Sequence, residues 1–267
     1  MGFRKDVGAN AGSGNGGTIV SEPCTFAQMR SPEFQHWVDE LQLPFTPHRK
    51  LWEWCWIAQS ADAAGVLLAG CRALGFGVGR EPLAGLFARS GMSVVATDLA
   101  PTDDAAAHWI EGEQHSGDDT NYFGPDVEFR YVDMRAVPDD LRDFDLTWSS
   151  CAIEHLGSLD AAVAFLDAQM SCLRVGGIAL HTTEFNTSSN RKTLTSGPEV
   201  LFRRRDLQAL AEHFRGAGHS VQLRFDLGRE PEDLHVDEPP YKQDIHLKLR
   251  IDRYVSTSFG VAIVRGA

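Results

Sequence analysis

The sequence predicts an α/β fold in which a mostly parallel, doubly wound sheet carries helices on both faces. Three observations predict it. From about residue 65 onward, short β-branched or alternating apolar runs take turns with amphipathic helical stretches. The first run leads into a glycine-rich turn, Gly75-Phe76-Gly77-Val78-Gly79. The next two end in single aspartates, Asp98 and Asp133. Ligands of open α/β sheets bind outside the carboxyl ends of the strands, so function is expected in the loops after residues 74, 97, 132, 149 and 182.

Taken in order, residues 8–17 read GANAGSGNGG, half of them glycine and none larger and apolar than Ala. Residues 1–17 are therefore expected to be a flexible tail without catalytic work. Residues 18–60 form a helical, Trp-rich extension or lid: Trp37, Trp52, Trp54 and Trp56 fall there, and Pro44 and Pro47 divide the helical stretch in two. The main domain spans 61–267. A strand over 66–74, broken at Gly70, comes first. A helix over 80–90 follows, with Pro82 in its first turn and Leu83, Leu86 and Phe87 inward. Strands over 93–97, through Val127, Phe129 and Tyr131, and over 144–149 come next. Ser158 caps a helix whose inner stripe is Leu159, Ala162, Val163, Leu166, Met170 and Leu173, ended by Gly176-Gly177. A strand over 178–182 and a helix over 206–217 lead to two closing strands, 220–225 and 255–264.

The chain has 267 residues, of which 43% are hydrophobic and 23% charged, enough apolar material for a sizeable core. Lys and Arg number 25 and Asp and Glu 37, a formal charge of −12. An acidic protein has no general affinity for nucleic acid or anionic membrane, and the run Arg203-Arg204-Arg205 reads as a solvated helix start. No apolar run reaches the roughly 18–20 residues of a membrane span, and residues 1–18 lack a signal-peptide core. Cys24, Cys55, Cys71, Cys151 and Cys172 are scattered, with no CxxC pair, which fits reduced thiols in a cytoplasmic protein.

Gly75, Gly77 and Gly79 let backbone approach a ligand at a helix N-terminus. The dinucleotide fingerprint would need a fourth glycine where Arg80 stands, which disfavours a nicotinamide cofactor. Asp98, 19 residues after Gly79, suits the ribose hydroxyls of a nucleoside. Asp133 suits an exocyclic adenine amine, with Met134 packing on the base.

This set resembles the class I S-adenosylmethionine-dependent methyltransferases: GFGVG at 75–79, Asp98, Val132-Asp133-Met134, FDLTWSSCAIEHLG at 144–157 and LRVGG at 173–177. The resemblance covers about residues 60–267. It implies a Rossmann-like seven-stranded sheet of order 3-2-1-4-5-7-6, with strand 7 antiparallel and formed by 255–264. It further implies S-adenosylmethionine as cofactor, with Leu99 and Ser149 joining Gly75, Gly77, Gly79, Asp98, Asp133 and Met134 around it. Ala73 stands where the family often has an acid, which leaves Glu81 or a backbone carbonyl to receive the methionine amine. Residues 181–190 and 233–258 are similar to bacterial small-molecule methyltransferases, some of which methylate sugar hydroxyls.

Methyl transfer to a hydroxyl needs a base or a metal besides alignment. His155 is the candidate base, since imidazole is the side chain that titrates nearest neutrality, with Glu154 orienting it or holding a cation. Glu154, His155 and Glu184 form a candidate Mg²⁺ site. His48, Arg49, His115, His181, Glu184 and Asn186 are candidate substrate contacts. The expectation is a cytoplasmic O-methyltransferase for a small polar molecule, first choice a sugar or glycoside, with a homodimer left open. N- or C-methylation of another metabolite, or a non-catalytic cofactor-binding subunit, are the alternatives.

Overall fold

The strand after residue 71 lies at the centre of the molecule. In the computed structural model, which describes residues 19–100 and 122–267, β2 (Arg72–Phe76) pairs in parallel with β3 (Ser93–Asp98) on one side and β5 (Phe144–Ser150) on the other. Beyond β3 lies β4 (Val127–Tyr131), also parallel. Beyond β5 lies β6 (Leu173–Asn186), parallel, and then the antiparallel β8 (Tyr254–Val264). β1 (Glu22–Pro23) and β7 (Lys248–Ile251) pair with β8, giving eight strands in the order β1-β8-β6-β5-β2-β3-β4 with β7 beside β8. The tail 1–17 lies outside the described residues, as does His115.

This is the doubly wound sheet the sequence predicts, with differences at its margins: eight strands form where seven were expected, β1 and β7 being the additions, and the first central strand starts at Arg72 and not at residue 66. No sixth strand forms over 220–225. That segment touches the sheet only by single bridges, Ser220 to Val264 and Ser21 to Leu223. The free side of β8 is shared among β7, β1 and that bridge. The polar, alternating residues 220–225 suit an edge, and two other short pieces occupy most of it first.

Side chains alternate along the strands and so feed two apolar cores, one on each face. On one face α3 (Arg49–Ala63) and α4 (Leu83–Arg89) cover Ala73, Leu146 and Trp148. Trp52 and Trp56 of α3 are core residues, and a Cβ at Gly260 of β8 would overlap the Trp56 ring. α2 (Pro32–Glu40), capped by Ser31, adds Phe34, Trp37 and Val38 to this core. On the other face α5 (Leu159–Met170) and α6 (Arg204–Gly216) cover Leu74, Phe76 and Phe144. The inner stripe of α5 includes Phe165 and Gln169, while Leu173 already belongs to β6, because the helix ends at Ser171 and not at Gly176-Gly177. Those glycines make an irregularity inside the β5–β6 pairing, where a Cβ at Gly177 would sit 3.0 Å from the Phe144 carbonyl. Arg203 is buried as the N-cap of α6, paired with Asp206, so the basic run is not fully solvated. Among the described residues no helix is long and apolar enough to cross a membrane.

Candidate active site

The turn after β2 reverses the chain at Gly77 and Gly79, both at positive φ (58° and 50°), where a side chain would be strained. A Cβ at Gly77 would also lie 2.9 Å from Ala152 and 3.4 Å from the Met134 sulfur. Gly75 serves a different end: a Cβ there would overlap the Trp148 ring. Asp98 ends β3 with 6% exposure. Its oxygens accept from the Gly79 N–H (3.0 Å) and the Leu99 N–H (2.7 Å), which ties the glycine turn to the strand end. A carboxylate accepts hydrogen bonds and donates none, which is the property that binding hydroxyls requires.

Around this corner opens a cleft lined by Gly77, Asp98, Leu99, Met134, Ala152 and His155 among others. Asp133 is on its wall, but Arg135 holds it: the Asp133 carboxylate accepts from the Arg135 backbone N–H (2.8 Å) and from its guanidinium (2.9 Å). Burial raises the Asp133 carboxyl, and Arg135 outweighs it, so the net shift is downward.

The Glu154–His155 pair splits. Both lie in the short 3-10 turn Ile153–His155, where successive side chains point about 120° apart. His155 faces outward onto the cleft beside Asp133 and Met134, and its Nδ1 donates to the Pro198 carbonyl (2.9 Å). Glu154 faces inward and is buried, receiving a hydrogen bond from Thr183 Oγ1 at 3.3 Å. His155 thus stands on the wall expected for the adenine.

Glu154 and Glu184 belong to a second assembly, at the ends of β5 and β6 and roofed by the first turn of α3. Its hub is Glu53, with 0% exposure. The Glu53 carboxylate accepts from Lys50 Nζ (3.0 Å), Ser150 Oγ (3.0 Å), Cys151 Sγ (3.0 Å) and Ser258 Oγ (2.5 Å). Burial pushes the Glu53 carboxyl up, but Lys50 and then Arg49 pull it down to about 2. The Arg49 guanidinium binds Glu184 directly, and Ser256 Oγ donates to the other Glu184 oxygen at 2.6 Å. Burial pushes Glu154 up, and Glu199 is raised to about 7 by burial and by its neighbours Glu184 and Glu154. Lys50 adjoins the expected contacts His48 and Arg49 in the sequence, whereas Glu53, Glu199 and the two β8 serines were not anticipated. No local pattern marks them, since Glu53 and Ser258 meet across 205 positions.

Several expected contacts lie elsewhere. Ser149 and His181 are buried side by side, Ser149 Oγ to His181 Nδ1 at 2.8 Å, inside the core under Phe165. Burial lowers the His181 imidazole to about 3. Both sit on inward positions of their strands, one register pair apart from the loop. Glu81 is buried against the Trp148 indole, which donates to it at 2.5 Å, and burial raises its carboxyl to about 8. Asn186 spends both ends of its amide on its own loop: Oδ1 accepts from the Ser188 and Ser189 N–H groups (3.0 Å each), and Nδ2 donates to the Lys192 carbonyl and Thr193 hydroxyl (3.1 Å each). His48 caps α3, accepting from the Lys50 N–H at 3.0 Å.

Of the expected Mg²⁺ ligands Glu154 and Glu184 converge, and His155 does not join them. The converging group is Cys151, Glu154 and Glu184, with ligand atoms within 4.8 Å of one another. A thiol suits soft metals, and both Glu184 oxygens are engaged, one by Arg49 and one by Ser256. This donor set does not fit Mg²⁺.

No family model matches the chain, and none of the curated proteins matches it. Solved structures do. A Galdieria sulphuraria protein assigned as a sarcosine dimethylglycine methyltransferase superposes with a TM-score of 0.51 at 16% identity, over 79% of this chain and 83% of that one. The Burkholderia thailandensis 1,6-didemethyltoxoflavin-N1-methyltransferase, solved with 1,6-didemethyltoxoflavin and S-adenosylhomocysteine, gives 0.49 at 17% identity, over 91% and 86%. The first likeness is one of fold: the chain has the class I S-adenosylmethionine-dependent methyltransferase fold.

Proposed function

We propose that this chain transfers a methyl group from S-adenosylmethionine to a hydroxyl of a small polar acceptor, first choice a sugar or glycoside. The observation that supports it is the convergence of positive-φ Gly77, buried Asp98 and Met134 on one cleft at the carboxyl ends of β2, β3 and β4. Asp98 would hold the ribose hydroxyls, and Leu99, Met134 and His155 would border the purine. When bound, the sulfonium supplies a methyl group already activated for displacement. What remains for the chain is to align the acceptor and exclude water. The assembly around Glu53 suits that role, because it fixes Ser150-Cys151 next to the cleft wall at Ala152 and presents polar groups for an acceptor's edges.

One observation favours a second reading, N-methylation of an amine. Glu154, Glu184 and Glu199 act on one another, while Arg49 is the guanidinium that answers them. An ammonium would balance that set.

Calorimetry with S-adenosylhomocysteine tests the common part. The native chain should bind it, and Gly77→Val should not, with circular dichroism showing that the variant folds. Normal binding by Gly77→Val removes the cleft from the reading. Binding without methylated product from any small-molecule extract would point to a non-catalytic subunit instead.

A further inference from the structure

Beyond the cleft and the Glu53 assembly, the segment between α7 (Pro231–Leu234) and β7 carries a histidine and an aspartate that the sequence reading did not single out. His246 has 4% exposure, and its Nδ1 lies 2.7 Å from Asp237 Oδ2. Asp237 is itself fixed, accepting from the backbone N–H groups of Lys242 (3.1 Å) and Gln243 (3.0 Å). A carboxylate accepts only, so His246 Nδ1 carries the proton and Nε2 offers its lone pair. Among the described residues Nε2 has no hydrogen-bond partner, and unlike Nε2 of His181 it is not sealed in the core.

The pair is tied to the acceptor side of the molecule. The His246 N–H donates to the Pro47 carbonyl (2.8 Å), and the Arg49 N–H donates to the His246 carbonyl (3.0 Å). The residue that clamps Glu184 is thus hydrogen-bonded through its backbone to His246. The His48 ring stacks on His246 at 4.6 Å, and the Tyr241 ring meets it edge-on at 5.4 Å. The charged and titratable groups facing His246 are Asp237 and Tyr241 from its own segment and His48 from the start of α3, with Arg49 and Lys50 behind. Arg49, Glu184 and Glu199 act on Tyr241 in turn. Burial, His246 and Arg49 hold the His48 imidazole down at about 4, so His48 stays neutral beside its neighbour.

We propose that His246, fixed by Asp237, is the base of the reaction: Nε2 takes the acceptor's hydroxyl proton as its oxygen bonds the methyl carbon, the sulfur–carbon bond breaks, and that bond's electron pair stays on sulfur. The sulfonium charge is thereby replaced by an imidazolium charge against Asp237, and the proton later leaves to water. The inference rests on the O-methylation reading. It replaces His155, which stands on the cofactor wall.

Two measurements test it. In the first, tritium transfer from S-[methyl-³H]adenosylmethionine to a small-molecule cell extract is followed for native protein and variants. His246→Asn should bind S-adenosylhomocysteine as the native protein does, yet transfer methyl about 10²–10⁴-fold more slowly. Its rate should also lose the native rise with pH, a change that a purely structural role would not produce. Asp237→Asn, which keeps the shape of the pair, should lose about tenfold or more and covers the case of a poorly folded His246 variant. Native turnover in both variants overturns the proposal. In the second, ¹⁵N NMR of the native protein with S-adenosylhomocysteine should show His246 with Nδ1–H and bare Nε2 at pH 8. An Nε2–H tautomer overturns it whatever the acceptor is. Failure of the native protein to bind S-adenosylhomocysteine would instead sink the methyltransferase reading itself.

Discussion

The cleft at Gly77 and Asp98 and the Glu53 assembly meet at Cys151-Ala152, yet they are built on opposite plans. The cleft is made of strand ends and the turns that follow them at once: Gly77, Asp98 and Met134 each lie within a few residues of β2, β3 or β4. Backbone geometry does most of the work there. The Glu53 assembly takes Arg49, Lys50 and Glu53 from α3, Ser150 from β5 and Cys151 from the turn after it, Glu184 from β6 and Ser256 and Ser258 from β8. Side-chain charge holds it together. The difference teaches that a cleft of strand ends and turns can be encoded locally, while an assembly of buried charge depends on how distant segments pack.

Substitutions should separate the two regions, starting with the largest effect. Glu53→Ala removes the common partner of the half-buried Lys50 and Arg49, leaving Arg49 only Glu184, and should destabilise the fold by about 2–3 kcal/mol in urea titrations. The sign of its pH dependence follows from a depressed carboxyl. Its contribution is present above pH about 4.5 and is lost as pH falls toward about 2, so the native and Glu53→Ala stability curves should converge in acid. Equal stability at pH 7 would break the claim that charge holds this region.

Glu81, buried on the Trp148 indole, gives a similar test with the opposite sign. Its carboxyl is raised from 4.5 to about 8, so the native fold loses stability as pH rises through that window. Glu81→Gln keeps an acceptor for Trp148 and should be more stable than native above pH 8, by about 1–3 kcal/mol, with little difference at pH 4. Thermal melts at pH 4 and pH 9 check this. Asp98→Ala should weaken S-adenosylhomocysteine binding by about 1–3 kcal/mol in calorimetry while leaving the Glu53 region intact. Unchanged affinity would take Asp98 out of the cleft's function. The smallest effect is expected at His155. As a border of the cleft it should cost His155→Ala under about 1 kcal/mol of affinity, with turnover at saturating cofactor kept. A large loss of turnover would return the proton-accepting role to it.

The same contrast explains what the sequence disclosed. Gly77, Asp98 and Met134 were legible because a tight turn, a strand end and an apolar neighbour leave marks within a few residues. Asp133 was legible as a position, but its ion pair with Arg135 was not. Ser149 and His181 have the right strand and the wrong side of it: a period of two fixes alternation, and only the packing of α5 decides which face is the core. Glu53 reads as an ordinary helical glutamate among tryptophans, and His246 as one polar residue in a long polar stretch. Their partners, Ser258 and Asp237, become neighbours only after β8 lies against β6 and β7. The missing strand over 220–225 is the same lesson at an edge, where no second neighbour enforces pairing.

That edge bears on how one molecule meets another. A continuous outer strand is a template on which a second chain can extend the sheet. The free side of β8 offers none, because β7, β1 and the bridge at Ser220 each cover a few residues and break the ladder into short, unaligned pieces. Among the described residues the other border of the sheet is β4, with Tyr131 exposed at its end. Sheet-to-sheet association, if two copies assemble that way, is therefore confined to the β4 side, and the border beside the Glu53 assembly is guarded against it.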